Sequence, residues 1–90
     1  MALKGVARED DIITHSNGST GKVVSVGAPD VFLENKKIGV DGDTCSADGS
    51  KLIATTQTVF AQGKKVLRLS DKCSAGGVIS VASTKVFAGD

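Results

Sequence analysis

The dipeptide Val-Phe occurs three times along the chain, and its copies hold every phenylalanine of the 90 residues. The copies are Val31-Phe32, Val59-Phe60 and Val86-Phe87. A recurrence of this kind indicates three copies of one small unit, which must pack together to bury a core. Each copy follows a run rich in β-branched and small residues, so each unit predicts a turn, a strand, a short connection and a second strand.

The first two Val-Phe strands continue into matching segments, 32–40 and 60–68, that predict β-hairpins. Asn35 and Gly63 stand where each segment turns back, and both residue types tolerate the positive φ that a two-residue hairpin turn requires. Each Phe strand is therefore expected to pair with the strand that follows it.

The third unit ends at the last residue of the chain, before its returning strand. Residues 5–11 resemble the end of a unit, because Arg8 stands three residues before an aspartate, as Arg68 does. We therefore predict that the N-terminal segment supplies the missing strand and closes a ring of three units.

The strand-forming runs are rich in Val, Ile and Thr, and no segment places apolar residues at helical spacing over ten or more positions. The chain therefore predicts an all-β fold, a small pseudo-threefold ring of short strands and hairpins that occupies residues 1–90 as a single domain. Ninety residues with three aromatic side chains form only a small core, so an additional staple is expected. A generic small β-sandwich is the alternative, but it does not account for the repeats.

The only histidine and the only two cysteines, His15, Cys45 and Cys73, each follow an aspartate in their own unit. If the three units are equivalent, these side chains occupy the same place in each repeat and converge near the pseudo-threefold axis. Imidazole and thiolate are ligands of zinc and ferrous iron, and three of them supply most of a tetrahedral site. We therefore predict one structural metal ion, zinc or alternatively iron, that cross-links the units.

Asp48, three residues after Cys45, is the predicted fourth ligand of this metal site. The alternatives are a bound water and the aspartates that precede the other ligands, namely Asp11, Asp43 and Asp71. For these three aspartates we favour a turn-capping role, because a carboxylate before a turn usually accepts backbone N–H hydrogen bonds. The cysteines alone are also compatible with two buried thiols or a disulfide, and synthesis in a reducing compartment disfavours the disulfide.

The charge balance and the lack of long apolar runs disfavour several partners. Eleven Lys and Arg against ten Asp and Glu give a net charge of +1, which argues against a nucleic-acid partner. The lysine pairs at 36–37 and 64–65 follow hairpin turns, where solvated charge is common. No apolar run reaches the length of a membrane span, and residues 1–5 lack the features of a signal peptide, so we expect a chain that is made and kept soluble in the cytoplasm.

Catalysis is also disfavoured. His15 and a cysteine could act as base and nucleophile, but no third orienting group or nucleophile motif accompanies them. We therefore expect no enzymatic activity, and a small metal-dependent hydrolase is the alternative.

The repeated segments resemble those of the PAAR-repeat proteins, which are spike-tip proteins of contractile phage tails and type VI secretion systems. Segments 31–43 and 59–71 are similar to the family's strand, Asn-Gly-Lys turn, returning strand and Gly-Asp ending, and 7–15 resembles its opening segment. The resemblance implies a short cone with a triangular base and a metal ion, usually zinc, held by His and Cys near the apex. The chain departs from the family in its degenerate Pro-Ala-Ala-Arg signature, at 37–40 and 65–68, and in having one His and two Cys.

The same resemblance implies a function. A bare cone of this family caps and sharpens the trimeric β-helical spike of a contractile injection machine, with one chain per trimer, and pierces the target cell envelope. On its own the chain is expected to be a monomer. Its small size favours a phage tail baseplate, and hence a place in the virion, and the alternative is a spike tip secreted by a type VI system.

Overall fold

The computed structural model describes residues 3–89, which form short strands joined by tight turns and contain no helix. The all-β prediction is confirmed, and no helix within this range is available to cross a lipid bilayer. The twelve strands are β1 (Lys4–Gly5), β2 (Ile12–Thr14), β3 (Thr20–Val24), β4 (Phe32–Leu33), β5 (Lys36–Lys37), β6 (Thr44–Cys45), β7 (Leu52–Ile53), β8 (Phe60–Ala61), β9 (Lys64–Lys65), β10 (Lys72–Cys73), β11 (Val78–Ile79) and β12 (Phe87–Ala88).

Three segments, one from each unit, meet in a closed ring of backbone hydrogen bonds, the central ring. The N–H of Ala7 donates to the carbonyl of Leu67 at 2.8 Å, and the N–H of Leu67 donates to Gly39 at 2.9 Å. Gly39 donates back to Ala7 at 2.9 Å and so closes the ring. A second set, two residues further along each segment, repeats the pattern at 2.8 Å: Glu9 to Lys37, Asp41 to Lys65 and Leu69 to Gly5. The predicted pseudo-threefold arrangement is therefore present in the backbone hydrogen bonds.

The hairpins that carry the predicted metal ligands form a six-stranded antiparallel sheet in the order β6-β3-β2-β11-β10-β7. Its two edge strands come together where Thr44 pairs with Lys51, so the sheet almost closes on itself. Closure leaves few unpaired backbone groups at the edges, which protects a small β protein from edge-to-edge aggregation.

Each Val-Phe strand forms a two-stranded ribbon with a segment that leads to the central ring. β4 pairs with β5 and β8 with β9, and their turns place Glu34, Asn35, Gln62 and Gly63 at φ values of 55°, 67°, 49° and 80°. Two consecutive residues with positive φ are typical of the tight hairpin turn that the sequence predicts. In the third ribbon β12 pairs with β1, so the N-terminal segment does supply the missing strand.

Buried apolar side chains divide into two clusters. The apical core contains both cysteines, and its members are Ala7, Ile13, Val23, Cys45, Leu52, Ala54, Leu67, Cys73, Ile79 and Ala82. The basal core consists of Val6, Ala28, Ile38, Val40, Ala61, Val66 and Ala88. Neighbouring residues of the central ring point to opposite faces, so the ring separates the two cores. Neither cluster contains a phenylalanine, and Phe32, Phe60 and Phe87 are 59%, 53% and 51% exposed.

The aspartates that precede the predicted ligands cap turns. Asp11, Asp43 and Asp71 are only 2%, 1% and 2% exposed. Each carboxylate accepts the backbone N–H of the residue three positions earlier. The donors are Arg8, Val40 and Arg68, at 2.7, 2.8 and 2.9 Å. The turn-capping interpretation of these three aspartates is therefore confirmed.

Candidate metal centre

Each predicted His or Cys ligand is the last residue before the hairpin turn of its unit. Its N–H donates across the turn to a carbonyl, and its own carbonyl accepts the N–H of a glycine with positive φ. The carbonyl and glycine partners are Ser19 and Gly18 for His15, Ser50 and Gly49 for Cys45, and Gly77 and Gly76 for Cys73. The three turns therefore share one hydrogen-bond pattern and present the three ligand residues in the same way.

The three residues do not, however, occupy the same rung of the sheet, that is, the same level of cross-strand residue pairs. Cys45 and Cys73 stand two residues after an aspartate, and so does Ile13, which is therefore their counterpart in the first unit. His15 lies one rung further out on the same face, because alternate residues of a strand share a face. The prediction that His15 occupies the same place in its repeat is wrong in this respect. The physical reason is that the first hairpin, with strands of 3 and 5 residues, is longer than the other two.

His15 nevertheless reaches the cysteine of the second unit. Its Nε2 lies 3.4 Å from Sγ of Cys45. A carboxylate oxygen of Asp48 completes a group in which the ligand atoms of His15, Cys45 and Asp48 all lie within 4.8 Å of one another. The thiol is buried, the imidazole partly exposed and the carboxylate exposed. The structure thus brings together three of the four predicted ligands.

Cys73 lies beside this group but is not one of the residues whose ligand atoms all lie within 4.8 Å of one another. Its buried Sγ accepts the N–H of Gly77 at 3.1 Å. A Cβ placed on Gly77 would lie 2.9 Å from this sulfur and 2.9 Å from Nδ1 of His15, so both atoms border the same small space. Cys45 is therefore close to Nε2 of the imidazole, and Cys73 approaches it from the side of Nδ1.

The side chain of Asp48 is fixed by its own turn. Its Oδ1 accepts the N–H of Ser50 at 2.9 Å and the hydroxyl of the same residue at 2.6 Å. These hydrogen bonds, the hydroxyl's foremost, lower the pKa of Asp48 below its usual value. Asn17 has the same arrangement with Ser19 in the first turn. Asp48 is therefore an oriented, ionised carboxylate at neutral pH, which is the form that binds metal.

The donors and the space around them suit zinc or ferrous iron. One imidazole, two thiols and one carboxylate are ligand types of such sites. Two glycines, which the sequence reasoning missed, adjoin them: a Cβ on Gly21 would lie 2.6 Å from Sγ of Cys45, and one on Gly77 would lie 2.8 Å from Cε1 of His15. The sequence feature that could have indicated their role is the position of each glycine within or at the start of a run of strand-forming residues.

A family model described as the PAAR motif matches residues 14–81, which is more than half of the chain. The matched segment includes His15, Cys45, Asp48 and Cys73. A search of curated proteins found no match.

Proposed function

The chain belongs to the PAAR-motif family, whose members are spike tips of contractile injection systems, and from this premise we propose that it caps the trimeric β-helical spike of a phage tail baseplate. The family match over residues 14–81 is the observation that carries the proposal. In the assembled virion the ligand cluster points away from the spike and meets the target cell envelope first. The role is mechanical rather than catalytic, and residues 1–90 act as one tip domain.

The central ring supports a partner with threefold symmetry. Its hydrogen bonds relate three similar segments of one chain in cyclic order. A single chain with three similar units can offer similar contacts to three identical spike chains, and one such cap covers the whole end of the trimer. We therefore expect one chain per spike trimer and a monomer when the spike is absent.

The exposed phenylalanines are the proposed contact surface. Phe32, Phe60 and Phe87 occupy equivalent positions in the three ribbons, and about half of each side chain is exposed. The next residue of each strand packs in or against the basal core, so the phenylalanines lie on the outer face of the ribbons that cover it. Large apolar side chains exposed in a repeated pattern are typical of an interaction surface.

We further propose that the ligand cluster binds one structural metal ion, zinc or alternatively iron. His15, Cys45, Cys73 and Asp48 would hold it, and they come from the hairpins of all three units. Bound metal would supply a cross-link between these hairpins. Such a staple suits a small core in which both thiols are free of disulfide bonds.

Co-expression with a trimeric spike protein from the same genome tests the capping role. Native mass spectrometry of the purified complex is expected to give one chain for every three spike chains, and the chain alone should be monomeric. Three chains per trimer, or no complex at all, would contradict the cap geometry. Binding to a type VI spike instead of a phage spike would change the machine but preserve the role.

A further inference from the structure

Two glycines beside the ligand cluster are not required by their backbone conformation. Neither Gly21 nor Gly77 has a positive φ, so an L-residue could adopt the same backbone conformation. The second unit has Ser50 at the corresponding position. In each unit this position lies two residues before the strand residue that pairs with the unit's aspartate. A side chain is therefore compatible with this rung of the sheet, and the glycines need another explanation.

The explanation is the space that the ligand side chains occupy. A Cβ on Gly21 would lie 2.6 Å from Sγ of Cys45 and 2.9 Å from Cβ of Ala47. A Cβ on Gly77 would lie 2.8 Å from Cε1 of His15 and 2.9 Å from Sγ of Cys73. Real Cβ atoms essentially never approach another heavy atom within 3.0 Å, so a side chain at either position would displace a ligand.

We infer that Gly21 and Gly77 are positioning residues of the metal site, an inference that rests on the metal-binding role proposed above. Gly21 leaves the space that the thiol of Cys45 and the start of the Asp48 turn occupy. Gly77 leaves the space between His15 and Cys73, and its N–H also orients the Cys73 sulfur at 3.1 Å. Ligand atoms must lie about 2.0–2.3 Å from one zinc ion, so displacing any of them by a few tenths of an ångström weakens the site.

Zinc titration of Gly21→Ala and Gly77→Ala tests the inference, with Gly27→Ala as a matched control. Gly27 also lacks a positive φ, and a Cβ there would lie 2.5 Å from Cγ2 of Val40 and 3.1 Å from Oδ1 of Asp43, with no His or Cys among its three nearest atoms. The wild type and the control are expected to bind zinc equally well, and the two test variants at least about tenfold more weakly. With Co²⁺ in place of zinc, the thiolate charge-transfer absorption should weaken in the test variants alone.

The outcomes separate this inference from the metal-binding role. No zinc binding by the wild type would contradict the role itself, whereas wild-type affinity in Gly77→Ala would overturn the inference. If Gly77→Ala is poorly folded, a comparison of combined variants without metal decides the question. Crowding against the ligand side chains predicts that Gly77→Ala lowers the melting temperature less in a background in which His15 and Cys73 are both replaced by alanine. An undiminished loss there would overturn the inference.

Discussion

The imidazole of His15 is the side chain of the proposed metal site that has a neighbouring thiol on the side of each ring nitrogen. Nε2 is 3.4 Å from Sγ of Cys45, and Nδ1 borders the space next to Sγ of Cys73. It also stands one rung beyond Ile13, the residue of the first unit that corresponds to the two cysteines. The longer first hairpin therefore adds an imidazole next to the level of the thiols, while Ile13 keeps the position equivalent to theirs.

Replacement of Cys73 by serine is expected to lower zinc affinity and thermal stability together, because the site would lose its only ligand from the third unit. The expected loss of affinity is at least about tenfold. Metal content and melting temperature should be measured with and without a chelator. The chelator should lower the melting temperature of the wild type and leave that of Cys73→Ser nearly unchanged. An equal response of both proteins would count against Cys73 as a ligand.

The identity of these residues could be predicted from the sequence, but their arrangement could not. His15, Cys45 and Cys73 are the only residues of their types, and each closely follows an aspartate in its own unit, which indicated that they would lie near one another. The offset of His15 depends on where the first hairpin turns, and several polar residues there could form the turn. The roles of Gly21 and Gly77 depend on contacts between different strands, which local sequence does not encode.

At the level of elements, the Val-Phe ribbons were predictable because alternating strand residues and turn residues with positive φ are local signals. The central ring was predictable only as a threefold relation between units. Its hydrogen bonds join Ala7, Gly39 and Leu67, which are far apart in sequence, so their pattern follows from assembly of the whole chain.

Glu34 joins the first ribbon to the third unit and is expected to make the stability of the fold depend on pH. Its Oε1 accepts the hydroxyl of Ser83 and a guanidinium N–H of Arg8, each at 2.7 Å. These contacts, Ser83's foremost, lower the pKa of Glu34 below its usual value. Because the pKa of this carboxyl is lower in the folded state than in the unfolded state, its ionised form stabilises the fold. This stabilisation is present at a pH above the unfolded-state pKa and is lost as the pH falls through the folded-state pKa. Glu34→Gln should therefore melt below the wild type at about pH 7 and together with it at about pH 2.

Gln62 provides the control for this measurement. It occupies the same position in the second ribbon, with a φ of 49° against 55° for Glu34. Gln62→Glu places a carboxylate there that can keep the 3.2 Å hydrogen bond from the Asp30 N–H but has neither the Arg8 nor the Ser83 contact. It should therefore gain less stability between acidic and neutral pH than Glu34 provides. A Glu34→Gln melting temperature equal to that of the wild type at every pH would refute the role of Glu34.

Gly5 in β1 is a point of close packing between the N-terminal strand and the third unit. A Cβ on Gly5 would overlap the backbone carbonyl oxygen of Ser83, which cannot rotate away as a side chain could. We expect Gly5→Ala to lower the free energy of unfolding by about 3 kcal/mol. Gly63→Ala, where space is open and only the positive φ of 80° is strained, should cost about 1 kcal/mol. Urea unfolding that shows equal losses would contradict the close packing of β1.

At the scale of the whole molecule, the phenylalanines of the three ribbons form the proposed contact surface for the spike. Replacing Phe32, Phe60 and Phe87 together by serine should abolish the complex with the spike, because three apolar contacts are lost at once. The fold should persist, since none of the three belongs to either core. Size-exclusion chromatography of the co-expressed proteins measures the first effect and circular dichroism the second. Normal binding by the triple variant would show that the spike contacts another surface.

The lysines of the same ribbons give a contrasting expectation for salt. An apolar interface with backbone pairing is little affected by ionic strength, whereas contacts made by exposed charges weaken once the screening length falls to a few ångströms, at about 1 M salt. We therefore expect the complex to survive about 1 M NaCl. The variant Lys36→Gln/Lys64→Gln should bind the spike like the wild type. Release of the chain by salt, together with weak binding of this variant, would assign the interface to the lysines.

The closed central ring is also expected to influence how the molecule responds to load. An open sheet under tension can lose its backbone hydrogen bonds one after another, beginning at a free edge. The ring through Ala7, Leu67 and Gly39 has no free edge, because each segment donates to one neighbour and accepts from the other. We therefore expect a force on the tip to be distributed over all three segments instead of acting first on an edge strand.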